Sequence, residues 1–243
     1  MEAISLKAQQ IFSIGGFGVT NSVFLTFVVM VLLIGLAAVL NRKMSLVPGK
    51  LQVLAEIGTE KLLDLMSSTL GSQKKAEQYF PLIATIFIFI LFSNLLGIFP
   101  GVGSLVVHYQ GNQVPLFRSP AADLNFTLAF AVISVILSNV LGAAAVGTFA
   151  HLKKFFNISN PIAFFIGILE LVSEIAKVIS LSFRLFGNVF AGEVLLTIVF
   201  SLAPYLVPLP FMMLELFVGL IQAFLFAMLT LVSIALHTSI QEH

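Results

Sequence analysis

Residues 8–41 contain no charged side chain, and Ser22–Leu40 within them is a nearly unbroken apolar run of 19 residues. About 20 helical residues, rising 1.5 Å each, cross the roughly 30 Å hydrocarbon core of a bilayer. Lipid offers the backbone no hydrogen bonds, so an isolated apolar run of this length must close its own as an α-helix. Composition points the same way: 59% of the 243 residues are hydrophobic and only 9% are charged, with 25 phenylalanines. A soluble domain carries about 25% charged residues. The expected fold class is an all-α polytopic membrane protein, one membrane domain over residues 1–243.

Asn41, Arg42 and Lys43 end the first span and leave residues 1–20 as an external N-terminal segment. The start, MEAISLKAQQ, lacks the basic region of a signal peptide, so the first helix is expected to be retained. In residues 48–70, Leu51, Leu54, Gly58, Leu62 and Leu65 recur at helical spacing, while Lys50, Glu56, Glu60, Lys61 and Asp64 take the other faces. That pattern predicts an amphipathic helix on the membrane surface, the alternative being a small soluble cap packed on the loops. The second span is Tyr79–Phe99, with Pro81 in its first turn and a break at Pro100-Gly101. A polar loop holding His108 and Arg118 leads to a third span from about Ala122 to Ala150, closed by His151, Lys153 and Lys154. Its stretch Leu141–Gly147, LGAAAVG, suits close helix approach.

Asn160-Pro161 reads as an N-cap followed by proline at the first helical position. From Pro161 to Ala203 nothing interrupts the helical pattern, and a straight helix of that length would be about 64 Å long, twice the core thickness. It must tilt strongly, bend or begin outside the core. Pro204, Pro208 and Pro210 form a short break before a last helix, Phe211–His237. About five membrane-embedded helices result, the last two forming a long hairpin over residues 160–239. Arg42, Lys43, Lys50, Lys61, Lys74, Lys75, Lys153 and Lys154 fall on one side; Lys7 and Arg118 fall on the other. The lysine and arginine bias places the N-terminus outside and the C-terminus in the cytoplasm. The short, plain N-terminus favours a bacterial inner membrane over a plastid one.

Arg184 lies inside the fourth long apolar helix, with no other charge between Lys177 and Glu193. An arginine keeps its proton even in lipid, so it needs a partner or a wet cavity. At about 100° per residue, Glu170, Glu174, Lys177, Arg184 and Asn188 share one stripe, within roughly 40° of Glu170. Glu193 points to the opposite side, about 13.5 Å nearer the outer surface than Arg184. On the antiparallel last helix, Gln222 level with Arg184 would put Glu215 level with Glu193, and His237, about 22 Å from Gln222, level with Glu170. Polar groups then stand at two depths on either side of a central arginine, as two half-channels that end near it without joining would require. The plainer alternatives are an interfacial helix end with a Glu174–Lys177 pair, and a buried structural pair of Glu193 with Glu215. No carboxylate of the chain is both level with Arg184 and facing it, so its counter-ion is expected on another protein.

Glu170 and Glu174 suggest metal ligands of an intramembrane hydrolase, but with no cysteine, four histidines near helix ends or in loops, and no HExxH, a zinc site has poor ligands. Neither a metal nor another cofactor is expected, nor, without basic tracts, a nucleic-acid partner. An ion-coupled secondary transporter or channel, the other class weighed, would show broken helices and internal repeats, and neither is evident.

At SLSFRLFGNVFAGE (residues 180–193), ELVSEIAKVIS (170–180), LIQAFLFAMLT (220–230) and NLLGIFPG (94–101), the chain resembles the a subunit of the membrane sector of F-type ATP synthase. The resemblance implies a non-catalytic proton-translocating subunit. It implies that Arg184 faces the carboxylate of each passing c-ring subunit, with Asn188 and Gln222 lining the same site. Glu193 and Glu215 match the outer half-channel, and Glu170 matches a supporting cytoplasmic-side glutamate. His237 has no counterpart and enters the inner channel on geometry alone. Implied partners are the c-ring, the b-type peripheral stalk, the assembled head and the bilayer. The ion carried, proton or sodium, is set largely by the absent c subunit.

Overall fold

The structure, a computed structural model, describes residues 7–45, 48–99, 105–109, 111–155 and 160–238. A hairpin of β1 (Gln10–Ile14) and β2 (Phe17–Thr20) precedes α1 (Asn21–Lys43). Then come α2 (Lys50–Leu70), α3 (Gln73–Ile98), and a second hairpin of β3 (Val106–Tyr109) and β4 (Asn112–Pro115). A 3-10 turn, Pro120–Ala122, leads into α4 (Leu124–Val146), α5 (Thr148–Phe155), α6 (Pro161–Leu202) and α7 (Pro208–Thr238). Among the described residues, four helices are long and apolar enough to cross a membrane: Asn21–Arg42, Gln73–Ile98, Leu124–Val146 and Pro208–Thr238. α6 is a single helix of 42 residues, about 63 Å long, which no perpendicular crossing of a 30 Å core accommodates. The fold is all-α and polytopic apart from the two small hairpins.

The hairpins are a departure from the sequence reading, which left residues 1–20 and the loop after α3 without structure. Their turns carry glycine where the backbone demands it, with Gly15, Gly16 and Gly111 at positive φ. Side chains tie this end of the molecule together. Asn21 Nδ2 donates to Pro115 O (3.2 Å), and Ser22 Oγ donates to Asp123 Oδ2 (2.6 Å). The other oxygen of Asp123 caps α4, accepting from Asn125 N at 3.0 Å. The starts of α1 and α4 and the end of α3 therefore lie on one side, as alternating spans require.

The third span is shorter than expected. It ends at Val146 because Gly147 takes φ +97°, which an L side chain resists, and His151, Lys153 and Lys154 sit on the separate helix α5. Pro161 occupies the first turn of α6 as expected, but Asn160 stands at the cap position without a side-chain hydrogen bond. Pro208 and Pro210 belong to the first turn of α7, so the break is only residues 203–207. The expected break at Pro100-Gly101 lies outside the described residues; α3 ends at Ile98.

The core lies where α3, α4, α6 and α7 meet, filled by Ile83, Ile90, Leu185, Leu231 and Ile234. α1 buries only Leu25 and Val29 among its large apolar side chains and leaves Phe27, Val31 and Ile34 exposed, as a lipid-facing helix does. The second half of α2 tucks Met66 into the core beneath α3, while Leu51, Leu54 and Ile57 stay exposed along its first half. Small residues set the closest approaches. Asn94 Nδ2 donates to Gly219 O at 2.9 Å, and a Cβ on Gly142 would stand 2.6 Å from that of His237. Gly142→Val should therefore destabilise the detergent-solubilised chain by about 1–3 kcal/mol. Gly35→Ala, with nothing within 4 Å of the new Cβ, should not lower its thermal unfolding midpoint.

Candidate functional site

α6 and α7 run antiparallel, and two contacts define their register. At one end a Cβ on Gly192 would stand 2.6 Å from Glu215 Oε1; at the other, Glu174 Oε1 lies 3.1 Å from His237 Nε2. The 18 residues from 174 to 192 span about 27 Å, against about 33 Å for the 22 residues from 215 to 237. Glu193 and Glu215 thus share one depth, and Glu174 and His237 another.

Arg184 sits between the two levels. α6 buries Leu181, Ser182, Leu185 and Val189 against the bundle, which turns Arg184 and Asn188 outward. Arg184 Nη2 donates to Ser180 Oγ at 3.1 Å, and no carboxylate among the described residues lies within 4.0 Å of its guanidinium. Gly187, one turn along, has nothing within 4 Å of where its Cβ would be. The surrounding exposed surface of α6 and α7 is apolar, with Phe183, Phe217, Leu220, Ile221 and Phe224.

A cavity of about 350 Å³ between α4, α6 and α7 extends from Lys177 to Arg184. Ser134, Ser138, Ser173, Ser180, Thr230 and Ser233 line it. The hydroxyls of Ser134 and Ser233 are buried with no protein partner, and such groups call for water. Sequence reading passed over these residues because single serines in apolar helices look inert. Their signal is spacing: 134 and 138, 173 and 180, and 230 and 233 each share a helix face.

At the Lys177 end the polar groups close on one another. Glu174 Oε1 accepts from Lys177 Nζ (2.6 Å) and from His237 Nε2, while Oε2 accepts from Asn139 Nδ2 (3.1 Å). Glu170 Oε1 pairs with Lys154 Nζ at 2.5 Å. With its amide donating to Glu174, Asn139 turns its oxygen to His151, so Nε2–H of His151 donates to Oδ1 at 3.1 Å. On α5, outside the spans, burial and then the neighbouring His237 and Lys154 push the His151 imidazole below its usual pKa. Glu170, Glu174 and His237 offer ligand atoms within 4.8 Å of one another, but ammonium groups already hold both carboxylates, so the set reads as an ion-pair network rather than a metal site.

The Glu193 end contains a residue that sequence reading left in a loop. Arg118, 6% exposed between β4 and α4, brings Nε to 3.4 Å from both oxygens of Glu193. Its Nη2 and Glu215 Oε2 are both buried without a protein partner. Nothing local in the sequence marks a loop arginine 75 residues before Glu193 as its neighbour. Gln222, expected to line the arginine site beside Asn188, is 7% exposed in the α7 packing face.

The two carboxylates of the Lys177 end should tolerate loss differently. Glu174→Ala removes the centre of a buried network and strands Lys177 and His237, costing about 3 kcal/mol. Glu170→Ala breaks a quarter-exposed pair and should cost about 1 kcal/mol or less. Thermal unfolding of the purified variants separates the two.

Comparison with known proteins finds similarity over nearly the whole chain. The profile of the family described as ATP synthase A chain matches residues 23–235. The ATP synthase subunit a of Campylobacter jejuni subsp. jejuni (strain 81-176) is 38% identical over 209 residues, 85% of this chain and 84% of that protein. The subunit a of Moorella thermoacetica is 35% identical over 230 residues, covering 95% and 96%, and that of Syntrophobacter fumaroxidans is 39% identical over 228 residues, covering 93% and 88%. The chain belongs to the ATP synthase A chain family, the non-catalytic proton-channel subunit a of the membrane sector of F-type ATP synthase.

Proposed function

We propose that Arg184 is the fixed cation against which the carboxylate of each c-ring subunit is held, and that two offset half-channels deliver protons to and from that point. The observation that carries this reading is Arg184 itself: exposed on an apolar helix face, unpaired by any carboxylate among the described residues, and at the end of a hydroxyl-lined cavity. A cation so placed costs about 2.5–3.5 kcal/mol on insertion scales, and a carboxylate offered by a partner in the membrane offsets that cost.

In this reading a proton enters from outside past Glu215 and Glu193 and neutralises the ring carboxylate near Arg184. The neutral carboxyl rotates through lipid almost a full turn and releases its proton into the inner half-channel. The serine-lined cavity supports an inner path that starts beside Arg184, with Lys177, Glu174, His237 and Glu170 at its mouth. Asn188 lines the arginine site from the exposed face. Gln222, buried on α7, belongs to the same site in this reading. Because arginine does not release its proton, it interrupts any continuous proton wire between the two paths. The proton-motive force supplies about 2.3 kcal/mol per charge per 100 mV.

The chain would sit in a bacterial inner membrane with its N-terminus outside and C-terminus cytoplasmic, α2 at the cytoplasmic interface, and the c-ring, b-type stalk and catalytic head as its assembly partners. A transporter working alone would need a counter-ion for Arg184 within the chain and helices broken at the midplane, whereas α6 is continuous from Pro161 to Leu202.

With the whole complex assembled in inverted vesicles, Arg184→Ala should abolish ATP-driven acidification of the lumen; pumping near the wild-type rate would sink the coupling role. Gly187→Leu tests the ring contact separately. A Cβ there has nothing within 4 Å in this chain, so the variant should leave thermal stability unchanged while lowering ATP-driven pumping at least about tenfold.

A further inference from the structure

We propose that Arg118 is a positioning residue of the outer half-channel: its guanidinium holds Glu193 as a carboxylate, which leaves Glu215 as the carboxyl that loads and releases the proton. The inference rests on the half-channel reading above and answers what that reading leaves open, namely how two glutamates at one depth divide the work.

The geometry treats the two carboxyls unequally. Glu193 has both oxygens 3.4 Å from Arg118 Nε. Glu215 has no cation among the described residues within ion-pairing distance, and its Oε2 is buried without a partner. Its carboxyl packs instead on the α6 backbone at Gly192, directly beside Glu193. Other charge is scarce at this level. α4 carries none, the only charges of α3 are Lys74, Lys75 and Glu77 at its far end, and His108 is turned to Gln113 within its own hairpin. Asp123 is occupied by Ser22 and Asn125. Among the described residues of the helices packed here and the Arg118 loop, the charges at this level are one permanent cation and two carboxyls. Arg118 and Glu193 form a pair of no net charge, and Glu215 beside it is the carboxyl left without a cation.

Two orphaned atoms complete the arrangement. Arg118 Nη2 is a buried donor and Glu215 Oε2 a buried acceptor, each without a protein partner. Water that accepts from the first and donates to the second would satisfy both, and it would link the loop holding Arg118 to the proton-carrying carboxyl. Arg118 itself transfers no proton. It acts through Glu193, and its guanidinium, 6.0 Å from the Phe190 ring, is braced by α6.

The test is passive proton flux through the membrane sector in vesicles stripped of the catalytic head, driven by a potassium diffusion potential and read against the pH of the entry side. Arg118→Gln should move the midpoint of that profile up by about one pH unit, because Glu193 without its cation burdens Glu215 with an uncompensated negative charge. Glu193→Gln should move it down, because Glu215 then faces Arg118 alone. The double variant Arg118→Gln/Glu193→Gln restores neutral surroundings and should return the midpoint to within about 0.3 unit of wild type. Glu215→Gln should reduce flux per complex at least about tenfold. An Arg118→Gln profile with an unmoved midpoint, whatever the yield of complex, overturns the role of Arg118 while a flux lost in Glu215→Gln still upholds the half-channel. Full flux per complex in Glu215→Gln overturns the half-channel reading itself.

Discussion

A guanidinium that keeps its charge in lipid is the constraint around which this fold is arranged. Arg184 is held at mid-depth on α6 by the burial of Leu181, Ser182, Leu185 and Val189 on the opposite face, so it cannot swing into the bundle for a partner. Ser180, one turn back, gives it one neutral hydrogen bond. The charge is left facing outward on an apolar surface, as the proposed contact with a ring carboxylate requires. Burying the same arginine against Glu170 or Glu193 would have closed off the contact proposed for it.

The polar groups on either side of Arg184 differ in kind. At the Lys177 end the charges are matched: Lys177 and Lys154 close on Glu174 and Glu170, and Asn139, His151 and His237 take up remaining hydrogen bonds. At the Glu193 end the one arginine pairs with Glu193 alone, and buried atoms of Arg118 and Glu215 go unpartnered. A saturated network holds its geometry, whereas an unsaturated one is responsive to a proton. Between them the hydroxyl-lined cavity offers water a route along α6 as far as the arginine.

Much of the frame was legible in the sequence. Unbroken apolar length marked the spans, and the absence of proline after Pro161 announced one long helix. Helical rise alone brought Glu215 beside Glu193 and His237 beside the Glu170–Glu174 turn, because in an antiparallel hairpin fixing one pair of levels fixes the others. The misses share a cause. Gly147 has the same neighbours as a helix-interior glycine, and only its left-handed φ shows that α4 stops there. The β hairpins pair locally, but what ties this end of the bundle together is contact between segments about 94 to 101 residues apart, from Asn21 to Pro115 and Ser22 to Asp123.

What the sequence determined by itself is everything that follows from local period and rise: helices in lipid, the stripe of Glu170, Glu174, Lys177, Arg184 and Asn188, and the depth of each charge along its own axis. What only the tertiary structure decided is which stripes meet. Arg118 reaches Glu193 because the segment after β4 folds over the end of α6, and the serines become a cavity because α4 and α7 stand off from α6 just there. Those outcomes depend on crossing geometry and loop paths, set by close packing across the whole bundle rather than by any window of neighbouring residues.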